Sequence, residues 1–142
     1  MKILSTYIYI LLLKTKSKLF ESILLKIRKL ILIFTNPIIK LEFRGFKLSM
    51  PLSHTIFYYQ KLYPNYDMQL HKIAEFIKQK YGFLNMVDIG ANIGDTVVFT
   101  NVYNANYLLI EGEESYLNLI ENNLASNYGG GGITYMLSLI QI

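Results

Sequence analysis

The chain has 142 residues, 52% of them hydrophobic and 17% charged, which is the length for one modest domain and the composition of an ordered protein. It has no cysteine, which excludes disulfides, iron–sulfur clusters and thiolate zinc sites without fixing the compartment. The net charge of +4 is unevenly laid: residues 1–47 hold ten Lys or Arg against two Glu, and residues 48–142 hold four Lys against eight acids.

Residues 1–36 read as a basic amphipathic helical segment. Ile3 to Leu13 is apolar except for Ser5 and Thr6, and Lys14, Lys16 and Lys18 follow. The apolar run is too short for an ordinary membrane span. As a signal peptide it has the charge at Lys2, but it lacks a small-residue cleavage site and its lysines lie on the wrong side. From Leu19 to Phe34, Phe20, Ile23, Leu24, Ile27, Leu30 and Ile31 recur at helical spacing, with Lys26, Arg28 and Lys29 between them. Three readings stay open: helices packed on the domain, peripheral attachment to an anionic membrane, or a cleaved or spanning segment. Lysine among leucine and isoleucine favours a membrane or a partner helix over nucleic acid. The expected location is cytoplasmic, with residues 1–36 as the route to a membrane surface.

Residues 37–82 form a lead-in. Asn36-Pro37 is a break, and Leu41, Phe43, Phe46 and Leu48 around Gly45 predict a short hairpin with Gly45 in its turn. His54 to Tyr63 is aromatic and ambiguous, and Pro64-Asn65 is a second break. Asp67 is placed to cap a helix whose stripe is Leu70, Ile73, Ala74 and Ile77. Tyr81-Gly82 ends it.

Residues 83–142 carry the most informative stretch. Phe83, Leu84, Met86, Val87 and Ile89 predict a short buried strand ending near Asp88. Gly90 and Gly94 predict a tight turn that leaves room for a ligand, and Asp95-Thr96 predict a helix start, the helix running to Tyr103. Tyr107 to Ile110 predicts a second apolar strand, ending at Glu111. Glu113 and Glu114 favour a following helix start, with Tyr116, Leu119, Ile120 and Leu124 on its buried face. Gly129 to Gly132 predicts a flexible joint, and Ile133 to Met136 a third strand. Alternating strands and helices predict an α/β fold with a parallel sheet.

The spacing limits the chemistry. Glu111 lies about 20 residues past the glycine turn, where an acid at a strand tip can accept hydrogen bonds from a ribose diol. Gly90, Ala91, Asn92 and Gly94 do not spell the dinucleotide fingerprint, and no Gly-Lys-Ser/Thr of a phosphate loop follows. Asp88, Asp95 and Glu111 together would repel phosphate and suit a ligand with ribose and positive charge, as S-adenosylmethionine has. The bland alternatives remain beside this: an ordinary strand-to-helix turn at Gly90 and Gly94, a solvated Glu111, and Asp95 as a helix cap. His54 and His71 lack a third metal-ligand candidate, His71 being expected on the exposed edge of its helix. Tyr58, Tyr59, Tyr63 and Tyr66 read as core and rim, or as a platform for stacking a sugar.

At Val87-Asp88-Ile89-Gly90-Ala91-Asn92-Ile93-Gly94-Asp95-Thr96, at Ile110-Glu111, and at Leu117 to Leu124 with Glu121-Asn122-Asn123, the chain resembles the FkbM family of S-adenosylmethionine-dependent methyltransferases. Pro51, His54, Tyr59, Tyr63-Pro64 and Tyr66-Asp67 resemble that family's lead-in. The resemblance spans about residues 40–127. It implies a Rossmann-like class I methyltransferase sheet, here partial and preceded by N-terminal helices, and methyl transfer to a hydroxyl, often of a surface polysaccharide or glycolipid. It implies that Gly90, Ala91, Asn92 and Gly94 line the methionine end of the cofactor, that Asp88 contacts its amino group, and that Glu111 holds the ribose. Asp95 joins them as a cofactor-binding candidate. The acceptor would be a small molecule or saccharide, with no nucleic acid, and neither a catalytic base nor a metal ligand is assigned. Only two or three of the family's strands fit into residues 83–142, so the resemblance also implies a truncated domain with weak cofactor binding and no turnover.

Overall fold

The computed structural model describes residues 1–65, 67–129 and 131–140. The chain divides into two compact units, Met1–Gly45 with Ser49–Pro64, and Phe46–Leu48 with Asn65–Ile142. The chain passes from one unit to the other after Gly45, after Leu48 and after Pro64.

The first unit starts with two helices, α1 (Lys2–Lys14) and α2 (Lys18–Phe34). Ser17 separates them and caps α2, its side chain accepting from the Phe20 amide at 3.4 Å. The hairpin follows as β1 (Ile38–Phe43) and β2 (Phe46–Pro51), with Phe46–Leu48 grouped with the second unit. Its two-residue turn is Arg44-Gly45, with φ of 54° and 86°. Two positive φ values are what the twist of a tight hairpin demands, so Gly45 sits where glycine is favoured. The ambiguous aromatic stretch becomes α3 (Ile56–Leu62).

Tyr9, Leu12, Leu24, Ile39, Met50, Leu52 and Phe57 form the buried core of this unit. Polar groups tie it together. Arg28 donates to the Leu52 carbonyl at 2.9 Å and the Ser53 carbonyl at 2.6 Å, and the Tyr9 hydroxyl donates to the His54 carbonyl at 3.0 Å. Tyr58 donates to Glu21 Oε1 at 2.5 Å, and Lys61 lies 3.4 Å from Glu21 Oε2. Tyr59 and Tyr63 stack on each other with centroids 6.5 Å apart, while Tyr66 lies outside the described residues.

The second unit comprises α4 (Met68–Tyr81), β3 (Asn85–Ile89), α5 (Asp95–Thr100), β4 (Asn106–Glu111), α6 (Glu114–Tyr128) and β5 (Thr134–Leu139). Its strands form a parallel sheet in the order β3-β4-β5, so the fold is mixed α/β. Asp88 pairs with Leu109, Ile110 with Ser138 and Glu111 with Leu139. Two crossovers of one hand, stepping in one direction, lay α5 and α6 on the same face. Tyr107 and Leu109 of β4 are buried, as are Val97 of α5 and Ile120 and Leu124 of α6; α6 packs on β4 and β5, and α5 packs on α6.

The opposite face is open. Val87 is 56% exposed, Ile89 78% and Met136 68%, so the strand expected to be buried is covered on one face only. Parallel strands are usually covered on both faces, and no described element covers this side. Other expectations shift in detail. Asp67 occupies the cap position of α4 with a left-handed φ of 65° and makes no capping bond through its side chain. Ile73 is exposed, and of the α4 stripe only Ala74 is buried. α5 stops at Thr100 because Asn101 turns left-handed, and the β-branched Val97 and Val98 make a poor helix to extend. At the glycine run, Gly129 ends α6 and Gly130 lies outside the described residues. Gly132 is packed rather than free: its carbonyl accepts from the Asn104 amide at 2.7 Å, and an added Cβ would fall 2.7 Å from the Tyr128 carbonyl oxygen.

Candidate functional site

The candidate site lies at the carboxyl end of β3 and β4. Side chains alternate along a strand, so the register puts Asp88, Leu109 and Glu111 on one face of the sheet, the one that α5 and α6 cover. The chain leaves β3 through Gly90 (φ 78°), Asn92 (φ 51°) and Gly94 (φ 76°). This turn is sewn to β4. The Gly90 and Ala91 amides donate to the Ile110 carbonyl at 2.8 and 3.0 Å, and the Asn92 amide donates to Glu111 Oε2 at 2.5 Å.

Glu111 is buried and heavily used. Oε1 accepts from the amides of Gly112 at 2.9 Å and Glu113 at 2.8 Å, so three backbone donors converge on one carboxylate. A carboxylate has about four acceptor positions. About one is left, so Glu111 can take one further donor but not both hydroxyls of a diol unless it releases an amide.

Asp88 differs. It is half-buried, and its Oδ2 has no hydrogen-bond partner; the buried Oδ1 of Asn92 is likewise unmatched. Burial holds the Asp88 carboxyl above the usual aspartate range, and the nearby Glu111 charge adds to this while the Thr96 side chain opposes it. Burial pushes Asp95 up to about 7, with Asp67 and Asp88 contributing, against the amides at the helix start. Asp67 is raised by burial as well. Carboxyls displaced in this way cluster at functional sites.

The glycines divide by role. An added Cβ at Gly90 would meet nothing within 4 Å, so this position is open to a ligand. At Gly94 it would lie 3.3 Å from Ile120 Cγ2, which ties this glycine to the close approach of α6 rather than to a ligand. Ala91 is buried as well. Thus Asp88, Gly90, Asn92 and Glu111 gather at the strand ends, Asp95 stands at the start of α5, and Ala91 and Gly94 turn toward the core. Two residues that the sequence reading named without a role at the site support it. Thr96 steadies Asp88, and Asn123, buried on α6, donates to the Ile93 carbonyl at 2.8 Å across the turn. His71 is tied into the same unit, its Nδ1 2.7 Å from the Thr100 carbonyl.

A cavity of about 420 Å³ lies at the amino ends of the strands, against residues 85–87, 106–108 and 134–136, away from the carboxyl ends that hold the candidate site. Compared with family models, curated proteins and solved structures, the chain matches none of them.

Proposed function

We propose that the second unit is the cofactor-binding part of an S-adenosylmethionine-dependent O-methyltransferase of the FkbM kind, its sheet a partial Rossmann-like one, acting on a saccharide hydroxyl. The observation that carries this reading is the pair of unmatched buried acceptors, Asp88 Oδ2 and Asn92 Oδ1, beside the open Gly90 turn. Buried acceptors without donors are costly, and a ligand that brings donors and positive charge relieves them. S-adenosylmethionine has an ammonium, a sulfonium and ribose hydroxyls, which fits acceptor-rich, acidic surroundings. When bound, it supplies an electrophilic methyl group.

In this reading Asp88 and Asn92 accept from the ammonium, Gly90 gives the approach, and the free position on Glu111 takes one ribose hydroxyl. Calorimetric titration of the full chain with S-adenosylmethionine is the test. Binding weakened about tenfold or more by Asp88→Asn, as expected for loss of a charged hydrogen bond, supports the reading. No binding, or binding that Asp88→Asn and Asn92→Ala leave untouched, overturns it.

A second reading is a non-catalytic interaction protein with a degenerate nucleotide-type fold. It draws on the turn amides of Gly90, Ala91 and Asn92, all of which serve the fold. A photoreactive S-adenosylmethionine analogue separates the two readings, since only the first expects crosslinking at residues 88–92.

A further inference from the structure

The helices of the first unit leave their apolar residues half used. On α2, Leu24 and Ile31 are buried. Leu19, Ile23, Ile27, Leu30 and Phe34 recur at three- and four-residue steps along another side of the same helix, and all are exposed, Leu19 by 75%, Leu30 by 57% and Phe34 by 78%. On α1, Leu4, Tyr7 and Leu11 repeat the pattern and are also exposed. Scattered exposed apolar residues are ordinary; two helices each with an ordered apolar stripe in water are not.

The charge beside these stripes has one sign. Lys2, Lys14, Lys16, Lys18, Lys26 and Lys29 are all exposed, and none forms a salt bridge among the described residues; only Lys18 lies near enough to an acid, Glu21, to feel its charge. The other two charges here, Glu21 and Arg28, are engaged within the unit: Glu21 holds Tyr58 and Lys61, and Arg28 holds the carbonyls of Leu52 and Ser53. A protein partner buried on these stripes would have to match five lysines that no acid faces. An anionic bilayer surface matches them without geometric demand, because its phosphates are mobile and lysine stems reach outward from the apolar boundary.

Neither helix can cross a bilayer. α1 has 13 residues, so it spans about 20 Å against about 30 Å of hydrocarbon. α2 carries Lys26, Arg28 and Lys29 along its length, and no helix among the described residues is long and apolar enough for a span. We infer that α1 and α2 dock in the plane of an anionic lipid surface, sinking the stripe of Leu19, Ile23, Ile27, Leu30 and Phe34 below the headgroups while the lysines meet lipid phosphates. This inference is independent of the cofactor reading, because it uses no residue of the second unit.

Co-sedimentation of the full chain tests it, with vesicles of phosphatidylcholine alone and with added phosphatidylglycerol. Binding to the anionic vesicles is expected, falling about tenfold or more in about 0.5 M salt, where surface charge is screened within a few ångströms. Replacing Leu19, Leu30 and Phe34 with Gln, or Lys16, Lys26 and Lys29 with Gln, should each give a similar loss. These side chains are exposed, and an unchanged circular dichroism spectrum verifies that the variants fold. Failure to bind anionic vesicles, equal binding to both compositions, or binding unaffected by either triple substitution overturns the inference. So does a concentration-dependent dimer that the apolar triple abolishes in the absence of lipid binding, which would assign the stripe to a second copy of the chain.

Discussion

Replacing Glu111 with Ala tests whether this carboxylate holds the site together before any ligand arrives. The substitution removes the acceptor of three backbone amides. Gly112 and Glu113 are exposed, so water can take over their amides at small cost. Asn92 is half-buried, and its amide loses a charge-assisted bond with little access to solvent. A hydrogen bond to a charged group contributes about 1.5–3 kcal/mol, and with a small loss at the other two amides the expected destabilisation is about 2–4 kcal/mol. Glu111→Gln keeps one carbonyl oxygen and should lose about half as much. Because the chain has two compact units, a global unfolding midpoint is a blunt readout, and amide hydrogen exchange is the better assay. Protection should fall at Asn92, Gly112 and Glu113, with the amide of Leu52, which donates to the Pro37 carbonyl in the first unit, as the internal control. If Glu111→Ala costs under about 0.5 kcal/mol and leaves the Asn92 amide protected, the carboxylate is no staple and the reasoning here fails.

The two turn glycines should respond unequally. Gly90→Ala meets only the backbone penalty of a positive φ, about 1–2 kcal/mol, whereas Gly94→Ala also presses on Ile120 and should be the more damaging by urea denaturation; equal losses would refute the packing role. Asp95 gives a dependence on pH. Its folded pKa of about 7 stands above the ordinary aspartate value of 3.8, so the folded chain binds more protons in that window. The contribution is fully present below pH 3.8 and is lost as pH rises through about 7. Asp95→Asn should therefore flatten the fall in stability from mildly acid to neutral pH and gain on the parent toward neutrality. Asp88 and Asp67, shifted the same way, leave a residual slope. Parallel stability curves for parent and variant would refute the assignment.

Much of this was readable from residue order because it rests on local rules. Periodicity located the second N-terminal helix, whereas the first was legible only as an apolar run; Gly45 marked the hairpin turn, and two apolar runs bracketing a glycine turn marked parallel strands. What order along the chain could not say is which atoms already have partners. Asp88 and Glu111 look alike as acids at strand tips, yet one keeps an unmatched oxygen and the other is nearly saturated by backbone amides. Gly90 and Gly94 look alike as turn glycines, and only the distance to Ile120 distinguishes approach of a ligand from approach of a helix. Val87 and Ile89 read as buried because a parallel strand ordinarily has cover on both sides; their exposure depends on what lies across the sheet, which no local pattern encodes.

The uncovered side of the sheet alters how unfolding of the second unit would register. Val87, Ile89 and Met136 are already wet in the native state, so denaturation uncovers less fresh hydrocarbon there than a chain of this length would ordinarily hide. Both the urea m-value and the heat-capacity increment scale with that newly wetted area, and both should therefore be low for the size of the protein. Any molecule that settles on this side would steepen the urea transition and raise the increment together, a thermodynamic signature readable before its identity is known.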